Sequence, residues 1–263
     1  MIVKDITDIL EEFAPLHLQE DYDNSGLIVG RETQEVEGVL LAVDVTDEVL
    51  DEARAKGCNM IITHHPIVFR GMKRFNDRDL TQRCVARALR EDLVLYACHT
   101  NLDAAPRGMS WRLAELLDVQ ACRVLEPTGV YRDEPTGFGV VGDLREACPL
   151  MDYLGLIKDR LGIEALRYTA VARETVQRVA ICTGSGVSLL EQAVAAGADL
   201  YITADMKYHD AFLPDRRLTM VDIGHFESEY CAIQLINDIL SKKMITFAVR
   251  KSECACNPVN YLV

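Results

Sequence analysis

Short runs that are apolar at nearly every residue until their polar ends, separated by amphipathic stretches, constrain this chain more than any other feature. "VLLAVDVT" (39–46), "NMIITHH" (59–65) and "LVLYACHT" (93–100) are rich in branched apolar residues and too short for core helices. A strand that is apolar on both faces must be covered on both faces, and parallel sheets flanked by helices provide that cover. "DEVLDEARAKGC" lies between the first two runs; it opens with acids, has helical spacing and stops at Gly57. "DLTQRCVARALRED" supplies a second helix, and "PRGMSWRLAELLDV" a third after a proline. Strand, helix, strand, helix, strand predicts an α/β fold built on a mostly parallel sheet.

The pattern recurs after residue 137. "QRVAICTGSG" reads as a strand ending in a glycine turn, "SLLEQAVAAGA" as a helix, "DLYITAD" and "RLTMVDIGH" as strands, and "SEYCAIQLINDILSK" as a helix. "EARAKGCNMIITHHP" (52–66) lines up with "EQAVAAGADLYITADM" (191–206): a helix ends at glycine, and Ile-Thr leads into a polar pair. The next strand of each half ends in a histidine with an acid four residues on, His99 with Asp103 and His225 with Glu229. The expected architecture is therefore two related α/β domains from an internal duplication. "PTGVYRDEPTG" (127–137), dense in Pro, Gly and charge, is the expected boundary, with a first domain over 1–127 and a second over 128–225.

Composition narrows the partners. The formal net charge is −13 over 263 residues, with no long basic run, which argues against direct nucleic-acid binding and anionic membrane surfaces. No apolar run nears the roughly 20 residues of a membrane span. "MIVKDITDILEEF" carries acids on a helical pattern and is not a signal peptide, so the expected location is the cytoplasm. The nine cysteines form no C-x-x-C pair and read as reduced thiols; Cys254 and Cys256 in "CAC" are a weak soft-metal candidate.

Ligands of a parallel sheet bind outside the carboxyl ends of its strands. His64, His65, His99, Asp205 and His225 all fall at or just past a strand end, and Asp103 and Glu229 follow within reach of the same edge. Adjacent histidines on a strand point to opposite faces. Both His64 and His65 can serve one site only where the strand has ended, and Pro66 supplies such a break. Any one of these features alone is ordinary packing. Four of the six histidines at strand ends of two matched halves favour a metal site. Imidazole with carboxylate suits Zn, Fe, Mn or Ni, and His64, His65, Asp103, His225 and Glu229 together suit two divalent ions.

In their order, "ITHHP", "HTNLD" and "GHFESE" resemble the Nif three-like dinuclear-metal-centre family, some of whose bacterial members are labelled type 2 homologues of GTP cyclohydrolase I. "DYDNSGLIVG" (21–30) and "TADMKYHDA" (203–211) fit the same resemblance, which runs from about residue 20 to 230. The resemblance implies that His64, His65, Asp103, His225 and Glu229 bind two metal ions in a cleft between the domains. It implies that His99 and His209 lie close by as proton-transfer groups and that Asn24 sits near the site. It also implies that the segment from about 226 to 263 returns to the first domain, and that the chain assembles as a homohexamer, a trimer of dimers. The family's glycine after Thr203 is Ala204 here, and a methyl group there is expected to narrow the approach to the cleft.

The function implied is a metal-dependent hydrolase, GTP cyclohydrolase-like, acting on a nucleotide or another phosphorylated small molecule. Arg70, Lys73 and Arg107 flank the site motifs and could hold phosphate, although each reads equally well as a solvated surface charge. The alternatives are a non-enzymatic metallochaperone or metal-cofactor assembly factor, and a regulatory adaptor.

Overall fold

The computed structural model describes residues 1–254 and 257–262. The chain forms two compact units, Met1–Ala105 with Ala232–Cys256, and Pro106–Cys231 with Asn257–Val263.

The first unit opens with α1 (Val3–Phe13) and β1 (Gly26–Val29) and continues through β2 (Val39–Ala42), α2 (Asp47–Ala55), β3 (Met60–Thr63), α3 (Leu80–Arg90), β4 (Val94–Ala97) and the one-turn α4 (Thr100–Ala104). Every residue of β2, β3 and β4 is buried, as apolar-on-both-faces strands must be. The three are parallel neighbours, and β1 adds to β4 antiparallel at the sheet edge. α2 and α3 start where polar side chains satisfy their first N–H groups: Thr46 accepts from Val49 N and Asp79 from Gln82 N.

The second unit runs through α5 (Met109–Leu116), β5 (Gln120–Tyr131), β6 (Glu134–Pro149), α6 (Leu150–Leu161), β7 (Arg167–Tyr168), β8 (Thr175–Ile181), α7 (Leu190–Ala195), β9 (Leu200–Thr203), β10 (Thr219–Asp222) and α8 (His225–Glu229). Its six-stranded sheet has the order β5-β6-β8-β9-β10-β7, with β8, β9 and β10 parallel. The 127–137 stretch, expected as a domain boundary, instead forms the end of the long β5–β6 hairpin inside this unit. The chain leaves the first unit earlier, at Ala105–Pro106. After α8 it re-enters the first unit as α9 (Cys231–Ser241) and β11 (Val249–Lys251), which pairs parallel with β2 and completes the five-stranded order β1-β4-β3-β2-β11.

Each unit contains one similar run of elements. A helix ends at a glycine in the left-handed region (Gly57, Gly197), a buried strand ends at Ile-Thr, and a parallel neighbour leads into a short helix opened by a histidine (His99, His225). Among the described residues no helix is long and apolar enough to cross a membrane. Cys254 is exposed, whereas Cys256 lies outside the described residues.

Candidate metal centre

In the first unit β3 ends at Thr63, and the backbone turns at once. Thr63 Oγ1 donates to His65 O (2.7 Å) and His65 N to Val43 O (3.0 Å). The turn frees the two following side chains from the alternation of a strand, so His64 and His65 lie together, ring centroids 5.1 Å apart. His99, just past β4, completes a triangle, 5.2 Å from His64 and 5.4 Å from His65. One nitrogen from each ring lies within 4.8 Å of the others. Metal–imidazole bonds of about 2.1 Å span such gaps around one ion or two adjacent ions. Asp103, one helical turn beyond His99, brings Oδ1 to 3.9 Å from His64 Nε2.

The second atom of each ring is more telling. His64 Nδ1 meets Cys98 O (2.7 Å), His65 Nδ1 meets Asp44 Oδ1 (2.8 Å) and His99 Nδ1 meets Asp23 Oδ1 (2.7 Å). A carbonyl or carboxylate oxygen only accepts, so the proton sits on Nδ1 and the lone pair is directed through Nε2. An oxygen acceptor behind the ring is the usual support of a metal-ligating histidine, because it fixes ring orientation and strengthens the donor. Asp23 is itself anchored. Burial opposes its ionisation, but His99, Thr100 and the Asn24 N–H hold its carboxyl well below the usual carboxylate range.

The second unit brings one imidazole together with carboxylates. His225, the first residue of α8, directs Nδ1 to Asp205 Oδ2 (2.8 Å) and Nε2 to Glu229 Oε2 (3.0 Å), one turn along the same helix. Two lone-pair atoms at that distance repel unless a proton or a cation lies between them. In the apo protein a proton serves: the Glu229 hydrogen bond, against the cost of burial and with help from Asp205, pushes His225 up to about 9. Glu229 is buried in turn by the "TGSG" loop, where Gly184 N donates to Ser228 Oγ (2.9 Å). Gly184 has φ +62°, and a Cβ there would stand 2.2 Å from Glu229 Oε1. The imidazole and carboxylate groups of both units could hold divalent metal ions.

The remaining predicted site residues divide. Asn24 adjoins the first cluster, its Nδ2 donating to Val68 O (2.7 Å). Arg70 and Lys73 are exposed in the loop beyond Pro66. Arg107 stacks on Trp111 and faces Glu134, both in the second unit. His209 is exposed, its ring edge-on to Tyr208 at 5.2 Å. Ala204 is wholly buried and donates its N–H to Gly184 O. Its methyl group therefore packs inside the unit, which corrects the expectation that it narrows an approach.

Sequence reasoning missed Asp23 and Asp44. Asp44 stands two residues past the end of β2 and falls under the same strand-end rule that selected the histidines. Asp23 precedes an antiparallel edge strand, and only the tertiary fold takes it to His99.

The profile of the family described as Duf34/NIF3 (NGG1p interacting factor 3) matches residues 1–258. The chain is similar to a Clostridium perfringens protein named GTP cyclohydrolase 1 type 2 homolog, with 34% identity over 257 residues that cover 95% of this chain and 97% of that one. Among solved structures it is similar to a hypothetical protein from Staphylococcus aureus (29% identity, TM-score 0.91, 100% of this chain and 99% of the other). It is also similar to reduced HcgD from Methanocaldococcus jannaschii (25% identity, TM-score 0.79, 96% and 98% covered).

Proposed function

This chain belongs to the Duf34/NIF3 family, and from that premise we propose that it is a dinuclear-metal-dependent hydrolase acting on a nucleotide or another phosphorylated small molecule. His64, His65, Asp103, His225 and Glu229 are the proposed ligands of two divalent ions. The observation that carries the reading is the set of four histidines, each with Nδ1 held by an oxygen acceptor: Cys98 O, Asp44, Asp23 and Asp205. Histidines that serve only packing have no need of the same support four times over.

Bound there, divalent ions supply Lewis acidity and make water a stronger acid near neutral pH. His99 is the proposed proton acceptor, at Nε2, and Asp23, which holds its Nδ1, would stabilise the resulting charge. Arg70 and Lys73 would hold anionic groups of the substrate. His209 is proposed as a second proton carrier. A homohexameric assembly and a cytoplasmic setting accord with the resemblance. The names of the curated relatives favour GTP as the first substrate to test.

Metal delivery is the second reading. It is favoured by the exposure of His225 and Asp205, whose side chains are 37% and 49% exposed and open to exchange. The two readings separate in one experiment. Metal content by plasma mass spectrometry is measured beside GTP and phosphodiester turnover, for wild type, His65→Ala, Glu229→Ala and Asp103→Ala. About two ions per chain, with turnover lost in all three variants, supports the hydrolase. Two ions that exchange quickly with no turnover supports delivery. No metal after soaking with Mn, Fe, Ni and Zn overturns both.

A further inference from the structure

Beside the three imidazoles of the first unit stands an aromatic pair that metal binding does not use. Phe69 lies in the loop after Pro66, and its ring meets His99 edge-on, centroids 5.8 Å apart at 72°. Tyr22 faces Phe69 at 6.1 Å with a 38° tilt. Both keep a large share of their surface in water: Tyr22 is 62% exposed and Phe69 44%.

The position of this pair is built. Asn24 Nδ2 donates to Val68 O, which ties the loop carrying Tyr22 to the loop carrying Phe69. Asp23, between Tyr22 and Asn24, holds His99 through Oδ1 and Thr100 through Oδ2. Tyr22, Phe69 and His99 are therefore fixed in one frame by hydrogen bonds at the residues beside them. Large aromatic side chains gain most of their stabilisation when buried, and leaving about half the surface of these two in water at a fixed position forgoes part of it. What such a frame provides is a ring face for another flat ring, set one histidine away from the candidate ligands. Stacking on an aromatic face is tolerant of ring identity, since every heteroaromatic base has a π-face. Arg70, exposed and next to Phe69 in the chain, is a candidate cation for an attached anionic group.

We propose that Phe69, with Tyr22, is a stacking platform for the planar heteroaromatic ring of a small-molecule ligand, seated against the His64–His65–His99 cluster. This deepens the hydrolase reading by naming the residues that seat a ring-bearing substrate and rests on it for the role of the histidines.

The test is calorimetric titration of the metal-supplemented full chain with guanosine and adenosine, which carry the ring, and with tripolyphosphate, which does not. Wild type is compared with Phe69→Ala, Phe69→Trp and Tyr22→Ala, with thermal unfolding as the folding control and metal content measured on every sample. Phe69→Ala is expected to weaken both nucleosides about tenfold or more. Phe69→Trp restores them, Tyr22→Ala weakens them severalfold, and tripolyphosphate is indifferent to all three. Nucleosides that bind Phe69→Ala as tightly as wild type, or that fail to bind wild type, overturn the proposal. So does a change of oligomeric state in Phe69→Ala by light scattering, which would make the pair a contact between copies. Phe69-dependent nucleoside binding by a protein that takes up no metal would sink the hydrolase reading alone. A metal-loaded protein indifferent to nucleosides would sink the platform alone.

Discussion

Two glycines with nearly the same backbone conformation allow the support of Glu229 to be isolated. Gly184 has φ +62° and Gly162, which ends α6, has φ +65°. Alanine at either position adopts the left-handed region at a cost of about 1 kcal/mol. Around Gly162 nothing lies within 4 Å of the added Cβ, so the backbone term is the whole effect. At Gly184 the Cβ would stand 2.2 Å from Glu229 Oε1, well inside the 3.0 Å below which real contacts essentially never fall. The carboxylate must retreat by at least the difference, 0.8 Å, from a site where Glu229 is only 3% exposed. Because a carboxylate is the end of a flexible side chain, the added loss of stability is modest, about 1 kcal/mol. The effect on metal binding is larger, since ligand support of this kind is worth roughly 10–100-fold in affinity. Gly184→Ala is thus expected to lose about 2 kcal/mol in urea unfolding and at least about tenfold in Mn or Zn affinity by calorimetry. Gly162→Ala loses about 1 kcal/mol and no affinity. If the two variants bind metal equally, Glu229 is not held for ligation by the glycine loop, and its place in the metal site fails with it.

Other outcomes follow from the same geometry. Asp44→Asn and Asp205→Asn leave the fold intact and weaken metal binding roughly 10–100-fold each, measured by competition with a chromophoric chelator; unchanged affinity would reduce these acids to surface partners. Since His225 holds its proton up to about 9, a cation must displace it, and apparent affinity should rise with pH towards about 9 and then level off. In the metal-free protein the sign is opposite: stability from the raised His225 pKa is complete below its ordinary 6.5 and is lost as pH climbs through about 9, which a pH series of melting temperatures reads directly. Glu52 tests the return of the C-terminal segment. Burial disfavours its charge, but the Glu253 N–H, Lys56 and Ser252 outweigh burial and draw it down from 4.5 to about 2. Its contribution, about 3 kcal/mol by linkage, is present above 4.5 and lost as pH falls towards 2, so Glu52→Gln should flatten the acid limb of the stability curve.

The strands that carry the candidate site were legible because they are short and mostly apolar on both faces. β2, β3, β4, β9 and β10 are buried at every residue, as strands covered on both faces must be. The β5–β6 hairpin was not legible, for a related reason. Its Pro127, Gly129 and Gly137 carry the composition of a linker, yet the strands shift register between Pro127 and Gly129, and a Cβ at Gly137 would fall 2.0 Å from Glu126 O. The same residues that mark a turn in sequence here permit two backbones to pass closely, and composition alone does not separate these uses.

At the site the strand-end rule found the ligand candidates but undervalued what stands behind them. A net charge of −13 reads first as solvation of the surface. Three of the acids contributing to it, Asp23, Asp44 and Asp205, accept from the Nδ1 atoms of His99, His65 and His225. Each stabilises positive charge on or beyond its imidazole, so part of the acidity is local to the chemistry. This is also why their effects should be graded. Removing a candidate ligand such as His65 abolishes a donor, whereas removing Asp44 leaves the donor in place with its orientation loosened and its basicity lowered. A site organised in this way loses affinity in two steps of different size, and a merely structural histidine cluster shows neither.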